Sequence, residues 1–283
     1  MSEIHPFISN KWRSNIPPPL PPLIKWFFND ESFGYLPSND TESIFLGTFP
    51  TYEVVNGFRV GGNKEFFYGS TDNSFWPLLG NISALPALSE QQIFDLLDEV
   101  NFGIIDILKK IERQGQSASD AALTPLVFNK VIDLKSNFLK LKNIYATSGG
   151  KGKITKGTRV TAAKWLRDSL INAGYTVVGF NVEGFQKRIK VFDSGQLIWE
   201  FNLNILWSPS PTGNIPTQGF INRNLEFADL LPVLPAAYAE LPVTVKARLV
   251  QWAYLLQLHG FPLEPALDAF ITDNLPLLSI LFA

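Results

Sequence analysis

The sequence predicts an α/β fold with three layers, α/β/α, around a central, mostly parallel sheet. Strand-like and helix-like segments alternate through most of the 283 residues, and this alternation is typical of parallel sheets connected by helices. Hydrophobic residues make up 46% of the chain and charged residues 18%, so the chain can fill a large core. From about residue 225 helical spacing replaces the strand pattern. We therefore predict an α/β domain over residues 1–225 and a helical C-terminal extension, packed on it, over residues 226–283.

The first predicted element is a proline-rich N-terminal arm, "IPPPLPPLIKWFFND", at residues 16–30. Proline fixes φ and removes a backbone donor, so this segment is expected to lie extended along the surface. A ligand for a proline-binding partner is the alternative interpretation.

The following elements are predicted from hydrophobic spacing and turn residues. Strands are expected at 43–46, 143–150, 175–180, 187–193, 197–201 and 204–211, with "DSG" at 193–195 as a hairpin turn between two of them. Helices are expected at 89–102 with Ser89 as N-cap, at 103–113 as a second helix, at 158–174 ending at Gly174, and at 243–260 ending at Gly260.

Composition excludes several chemistries. The chain has no cysteine, which removes disulfides, thiolate metal sites and cysteine nucleophiles. The chain has only two histidines, His5 and His259. This small number argues against histidine-rich metal sites and against most Ser-His-Asp schemes. The net charge of −2 excludes a basic coat for nucleic acid over the whole surface, although not a local basic face. The N-terminus lacks a secretory pattern and no apolar run reaches membrane-spanning length, so we expect a cytoplasmic protein that does not contact a membrane.

Two predicted strand ends carry stiff, polar turns. "FLGTFPT" (45–51) places Gly47 and Pro50 directly after a buried strand, and "WSPSPTGN" (207–214) places small hydroxyls between prolines. Ligands of open α/β sheets bind beside the carboxyl ends of strands, and rigid turns with serines and backbone N–H groups suit phosphate oxygens. A tight strand exit and a polar surface turn are the simpler alternatives.

A basic segment, "KGKITKGTRVTAAKWLR" (151–167), has six cations and no acid. Such a segment can follow a phosphate backbone. A solvated helix face with a neighbouring loop is the alternative.

The segment "FFYGSTDNSFWPLL" (66–79) places aromatic residues around a short polar turn. Taken singly, these aromatic residues are ordinary core. In order along the chain, however, four segments resemble the uracil-DNA glycosylase superfamily, most closely the branch of hypoxanthine (deoxyinosine) DNA glycosylases. They are "FLGTFPT", "FFYGSTDNSFWPLL", "NFGIIDILKKIERQGQSASDAAL" and "LWSPSPTGN", and the resemblance spans about residues 40–225.

The resemblance implies an active site. Asn73 matches the catalytic asparagine, which would orient water, and Phe75 matches the ring that stacks on an extruded base. Asp72 and Asp106 are candidates for the base that activates water, and Phe49 and Tyr68 are assigned to base binding. The residues assigned to DNA and phosphate binding are Gly47, Thr48, Pro50, Thr51, Ser208, Ser210, Pro211, Thr212, Asn214, Lys151 and Lys153.

The sequence also departs from the family pattern. Phe49 stands where many members carry Asp or Asn, Thr51 replaces a common glycine, and Ser208 replaces a frequent histidine. "ATSGG" (146–150) stands where relatives often carry an asparagine that reads the base.

The resemblance implies a monofunctional DNA glycosylase that hydrolyses the N-glycosidic bond of uracil or hypoxanthine flipped from DNA. The implied partner is DNA with a deaminated base, and no metal or organic cofactor is expected. Two alternatives stay open: a non-catalytic nucleic-acid-binding module on the same fold, and an unrelated α/β hydrolase of small phosphorylated or nucleoside ligands.

Overall fold

The computed structural model describes residues 2–9, 26–28, 32–56, 66–85, 89–117, 119–137 and 139–283. Most of the predicted proline-rich arm lies outside these residues. Contacts divide the chain into two compact units: unit 1 is Met1–Thr71 with Leu97–Ile205, and unit 2 is Asp72–Leu96 with Leu206–Ala283. The division into domains after residue 225 stays a prediction.

Unit 1 contains two sheets. Their strands are β1 (Ser2–Ile4), β2 (Trp26–Phe28), β3 (Phe33–Tyr35), β4 (Ser43–Gly47), β5 (Phe102–Asp106), β6 (Leu108–Arg113), β7 (Leu123–Phe128), β8 (Asn143–Ala146), β9 (Thr176–Val178), β10 (Gln186–Asp193) and β11 (Gln196–Ile205). The larger sheet has the order β2-β3-β5-β4-β8-β11-β10-β9, and the smaller one has the order β1-β6-β7.

The larger sheet confirms the α/β class but corrects the prediction that it is mostly parallel. The central strands β5, β4, β8 and β11 are parallel, whereas four of the seven pairings, at both edges, are antiparallel. Strands β4, β5 and β8 are buried along their whole length, as expected for strands covered on both faces. The β10–β11 pairing is antiparallel because the two-residue turn Ser194-Gly195 folds one strand back on the other. The three-layer arrangement stays a prediction.

The predicted hairpin at 193–195 is confirmed. Strands β10 and β11 pair from Gln186↔Asn204 to Asp193↔Gln196, and both residues of the turn have positive φ, Ser194 at 48° and Gly195 at 86°. This conformation is the one that matches strand twist in two-residue hairpins. The strands predicted at 197–201 and 204–211 are instead one strand, β11, which ends at Ile205.

The helix predicted at 103–113 is wrong, because this segment forms β5 and β6. Ile104, Ile105, Ile107 and Leu108 are all fully buried. A continuous apolar run does not distinguish a buried strand from a buried helix, whereas β-branched residues favour the strand. Strand β6 then pairs with β1 and β7 in the smaller antiparallel sheet, which sequence reasoning missed.

The helices of unit 1 are α1 (Tyr52–Asn56), α4 (Ile132–Asn137) and α5 (Ala162–Asn172), and α3 (Glu90–Val100) spans the division between the units. The predicted N-cap of α3 is confirmed: Gln92 N donates to Ser89 Oγ at 3.2 Å, and Ser89 N donates to Gln92 Oε1 at 3.0 Å. This reciprocal pair is a capping box. Helix α5 lies within the predicted range 158–174.

Unit 2 is helical. Its other helices are α2 (Phe75–Ser83), α6 (Asn214–Arg223), α7 (Leu225–Leu230), α8 (Val243–Gln257), α9 (Pro265–Asp273) and α10 (Leu275–Phe282). A short 3-10 helix, Pro211–Gly213, precedes α6. Aromatic rings form much of the core, including Trp207 against Phe220, Phe227 and Phe282 at centroid distances of 5.0–6.2 Å.

Among the described residues, no single helix is long and apolar enough to cross a membrane. Within the same described ranges, α9 and α10 taken together meet that length and apolarity, and a 77° bend separates them.

Candidate functional site

The carboxyl ends of three parallel strands bring polar residues of unit 1 together. Gly47 at the end of β4 is in register with Asp106 at the end of β5. Thr147 directly follows β8, and its N–H donates to the Leu46 carbonyl at 3.1 Å. The first predicted strand-end turn therefore lies at the sheet edge where α/β proteins bind ligands.

Gly47 is required by the close approach of two functional groups. A Cβ at this position would lie 2.0 Å from Asp106 Oδ1 and 2.5 Å from the Tyr68 hydroxyl. Both distances are far inside van der Waals contact, so any side chain at Gly47 would displace the carboxylate or the phenol. Sequence reasoning selected Gly47, and the structure gives the physical reason for glycine there.

Asp106 is held by a buried histidine. His5 Nε2 lies 3.0 Å from Asp106 Oδ2, and the Phe7 N–H donates to His5 Nδ1 at 3.2 Å. Because Nδ1 accepts, the ring proton of a neutral His5 lies on Nε2 and points at Asp106. Burial lowers the pKa of His5, against the opposing effect of Asp106, which favours this neutral form.

Tyr68 contributes a phenol to the same cluster. Its hydroxyl lies 2.5 Å from Thr147 Oγ1, which also lies 3.2 Å from the Leu46 carbonyl. Since a carbonyl only accepts, Thr147 donates to Leu46, and Tyr68 is then the donor to Thr147. Burial and the charge of Asp106 raise the pKa of Tyr68 well above its ordinary value, so the phenol keeps its proton. The backbone of Tyr68 has a φ of 56°, which is uncommon for a residue with a side chain.

A buried ion pair holds the turn after Gly47. Arg113 Nη2 donates to the Pro50 carbonyl at 2.7 Å and to Glu3 Oε2 at 2.9 Å, and Arg113 Nε lies 2.9 Å from Glu3 Oε1. The Phe49 ring is buried, edge-on to His5 at 5.4 Å and with the Arg113 guanidinium 5.8 Å from its centroid. Its surroundings are therefore those of a packed core residue. The Thr51 hydroxyl is buried with no hydrogen-bond partner among the described residues.

Asp120 is a carboxylate in this unit that sequence reasoning missed. Thr48 Oγ1 donates to Asp120 Oδ1 at 2.7 Å. Burial raises the pKa of Asp120 from an ordinary 3.8 to about 6, opposed by the Thr48 hydrogen bond, with Asp106 adding to the rise and Arg113 and Arg159 opposing it. A half-buried carboxyl with a pKa near neutrality is suited to proton transfer. The only sequence signal was its place in "RQGQSASD".

We predict that the contribution of Asp120 to the free energy of unfolding falls as pH rises. Between about pH 4 and pH 6 the folded protein holds the Asp120 proton more tightly than the unfolded chain, so unfolding becomes easier across this window. Asp120→Asn keeps an oxygen that accepts from Thr48 and has no proton to lose. Relative to wild type, the variant should therefore gain about 1–3 kcal/mol in free energy of unfolding between pH 4 and pH 7.

Urea unfolding at four pH values measures this gain. Asp193→Asn, at an exposed position of the hairpin turn, is the control, because it also removes one carboxylate charge but not a buried one. A difference between Asp120→Asn and wild type that stays constant across the window would contradict the prediction.

The basic segment is partly neutralised. Asp168, just beyond its end, accepts from Lys164 and, at 2.8 Å, from Arg167 Nη1. Lys151 and Lys153 are exposed, so they are accessible to a polyanion.

In unit 2, the turn that contains Asn73 is bound to the second strand-end turn. Ser74 donates to the Pro209 carbonyl through its N–H at 3.1 Å and through its Oγ at 2.7 Å. Asn73 Oδ1 accepts from the Phe75 N–H at 2.9 Å, which forms an Asx turn directly before α2. Two segments far apart in the sequence, each selected for the same predicted site, are therefore in direct contact.

Phe75 differs from Asn73 in exposure. The Phe75 ring is 0% exposed and lies edge-on to Trp76 at 4.6 Å and Trp252 at 5.4 Å. Its faces are covered within unit 2, so a stacked base would require this packing to open. Asn73 is half-buried and Asp72 is exposed.

The second strand-end turn carries a row of hydroxyls. Ser208 Oγ lies 2.9 Å from Ser210 Oγ, which lies 2.7 Å from Thr212 Oγ1. The turn closes tightly, because a Cβ at Gly213 would lie 2.3 Å from the Ser208 carbonyl oxygen. Pro211, Thr212 and Asn214 are exposed, and Ser208 and Ser210 are half-buried.

Helix α8 holds this turn through three side chains on one face. Gln251 Oε1 accepts from the Trp207 N–H at 2.8 Å, and Trp252 Nε1 donates to the Trp207 carbonyl at 3.0 Å. Arg248 donates to Asn214 Oδ1, and its Nη1 lies 3.4 Å from Ser74 Oγ. Positions i, i+3 and i+4 share a helix face. Sequence reasoning missed all three, although two polar residues inside an apolar helix were a usable signal.

Within the described residues, no group of three or more His, Asp or Glu side chains could hold a metal ion.

No protein-family model matches the sequence, and no curated protein matches it. Among solved structures, one similar chain is a candidate uracil DNA glycosylase from Methanosarcina acetivorans, determined by solution NMR, with 23% sequence identity and a TM-score of 0.31. The match covers 38% of this chain and 63% of that one, so this chain spans less than two thirds of the neighbour's length. A TM-score this low does not establish a common fold.

Proposed function

We propose that the protein is a DNA glycosylase that removes a deaminated base, uracil or hypoxanthine, from DNA. One observation supports it most: Ser74, beside Asn73, donates twice to the Pro209 carbonyl between Ser208 and Ser210. An amide suited to orienting water and a hydroxyl-lined turn suited to a phosphate thus lie together within unit 2.

The chemistry is compatible with these residues. Hydrolysis of the N-glycosidic bond places water on the sugar carbon while the base leaves with the bonding electrons. Asn73 Oδ1 has two acceptor sites and uses one for the Phe75 N–H, so the other can accept from water. An amide orients water but does not take its proton. We assign that role to Asp72, the carboxylate in the same turn as Asn73.

Phe75, Phe49 and Tyr68 remain the proposed residues for base binding, and the turns at 47–51 and 208–214, with Lys151 and Lys153, remain the proposed DNA contacts.

The direct test is incubation with single- and double-stranded oligonucleotides that contain one uracil, hypoxanthine or xanthine. We expect abasic sites, cleaved by subsequent alkali, in a uracil or hypoxanthine substrate and none in the undamaged control. No abasic product from any substrate, with enzyme in large excess, would overturn the proposal.

A second candidate function is nucleic-acid binding without catalysis. The covered ring of Phe75 and the packed Phe49 in the first strand-end turn favour it, because neither ring has a free face for a base. This alternative predicts salt-dependent binding of oligonucleotides, no base release, and no preference for damaged over undamaged DNA.

A further inference from the structure

Arg248 is a buried cation without a carboxylate partner in the described chain. It is 2% exposed, no ion pair to it is found in the parts of the chain that the structure describes, and its Nε is buried with no hydrogen-bond partner there. Its hydrogen bonds go to two neutral oxygens, those of Asn214 and Ser74. A buried charge without compensation is unfavourable, so a functional reason for this arginine is expected.

Arg248 determines the orientation of the Asn214 amide. Guanidinium only donates, so the atom of Asn214 that faces it is the oxygen, and the Asn214 NH₂ points away from Arg248. Asn214 is exposed and is the first residue of α6. The amide thus offers two N–H donors at a helix N-terminus, where anions are favoured.

The hydroxyl row adds at least one further donor. Ser208, Ser210 and Thr212 have three O–H groups, and the two hydrogen bonds that join them use two. At least one O–H is therefore left to donate outside the row.

We infer that Arg248 is a positioning residue of a phosphate site in which the Asn214 amide and the remaining O–H of the row formed by Ser208, Ser210 and Thr212 donate to the phosphate oxygens. The guanidinium does not touch the ligand; it fixes the Asn214 donor and places a positive charge behind the turn. The inference rests on the proposed function in that the expected ligand is a phosphate of a DNA strand.

Asn214→Asp separates this role from a structural one. The carboxylate still accepts from Arg248 and forms an ion pair with it, so the fold is kept, but both N–H donors are lost and a negative charge faces the ligand. Asn222→Asp, at an exposed position of the same helix, introduces the same charge and is the matched control.

The probes are inorganic phosphate and an undamaged single-stranded oligonucleotide. In wild type and Asn222→Asp, we expect phosphate to raise Tm relative to chloride at equal ionic strength, and we expect no such rise in Asn214→Asp. Oligonucleotide binding by Asn214→Asp should be about tenfold weaker, and the salt dependence of log Kd should lose about 0.7 for one phosphate contact. Arg248→Met should show the same losses, with Lys246→Met as its control on α8.

Equal binding and equal salt dependence for Asn214→Asp and Asn222→Asp would overturn the inference. So would a wild-type protein that phosphate does not stabilise, a result that needs no variant. Neither measurement involves base release. The phosphate site can therefore be disproved in a protein that releases bases, and it can be confirmed in a protein that does not.

Discussion

Arg113→Ala is expected to lower the free energy of unfolding by about 3–5 kcal/mol, because it leaves a buried carboxylate without its partner. The Arg113 and Glu3 side chains are 1% and 3% exposed, so water cannot replace the lost hydrogen bonds. The variant also removes the donor to the Pro50 carbonyl and the cation beside Phe49. We therefore expect the turn at 47–51 to become less ordered, and the pairing of β1 with β6 in the smaller sheet to weaken.

Urea unfolding followed by circular dichroism measures this loss. Arg188→Ala is the matched control, since the ion pair of Arg188 with Glu200 lies on the surface and should contribute about 0–1 kcal/mol. Replacing both Glu3 and Arg113 with Met should be less destabilising than Arg113→Ala, because no uncompensated charge is left. Equal losses for Arg113→Ala and Arg188→Ala would contradict the prediction.

Asn73→Ala is expected to reduce base release by about 100-fold or more, given the proposed function, because the oxygen that orients water is lost. The same change removes the acceptor of the Phe75 N–H and should lower the free energy of unfolding by about 1 kcal/mol. The effect on the rate must therefore be separated from the effect on the fold.

Asn73→Ser makes this separation. A serine hydroxyl can form the same kind of turn, although more weakly, but it does not place an oxygen where the amide oxygen lies. Most of the stability should therefore be kept while the rate falls. Asn81→Ala, at an exposed position of α2, should change neither. Single-turnover kinetics on the substrate identified in the oligonucleotide panel provides the measurement. Wild-type rates in both Asn73 variants would exclude Asn73 from catalysis without excluding a glycosylase.

The sequence predicts an element correctly where residues close together in the chain determine its conformation. The capping box at Ser89, the hairpin at 193–195 and strands β4 and β8 follow from residues only a few positions apart. The segment 103–113 could not be assigned by the same means, because its isoleucines and leucines satisfy a helix and a buried strand alike. Its pairing with the N-terminal strand β1 depends on a partner about a hundred residues away.

In the candidate site, too, some residues could be predicted from the sequence and others could not. Gly47 and the proline-serine turn were visible as glycine and proline at strand ends. His5, Glu3, Arg113 and Asp120 were not, because each acquires a role only through contacts with residues far away in the chain.

Short-range patterns therefore sufficed to establish an α/β protein with two stiff turns at strand ends and a helical C-terminal part. Strand direction at the sheet edges, the burial of Phe75, the rise in the pKa of Asp120 and the place of Arg248 behind Asn214 came from long-range packing alone. The physical reason is that backbone propensity, capping and turn formation act over a few residues. Burial, desolvation and ion pairing depend on which distant segments fold against each other.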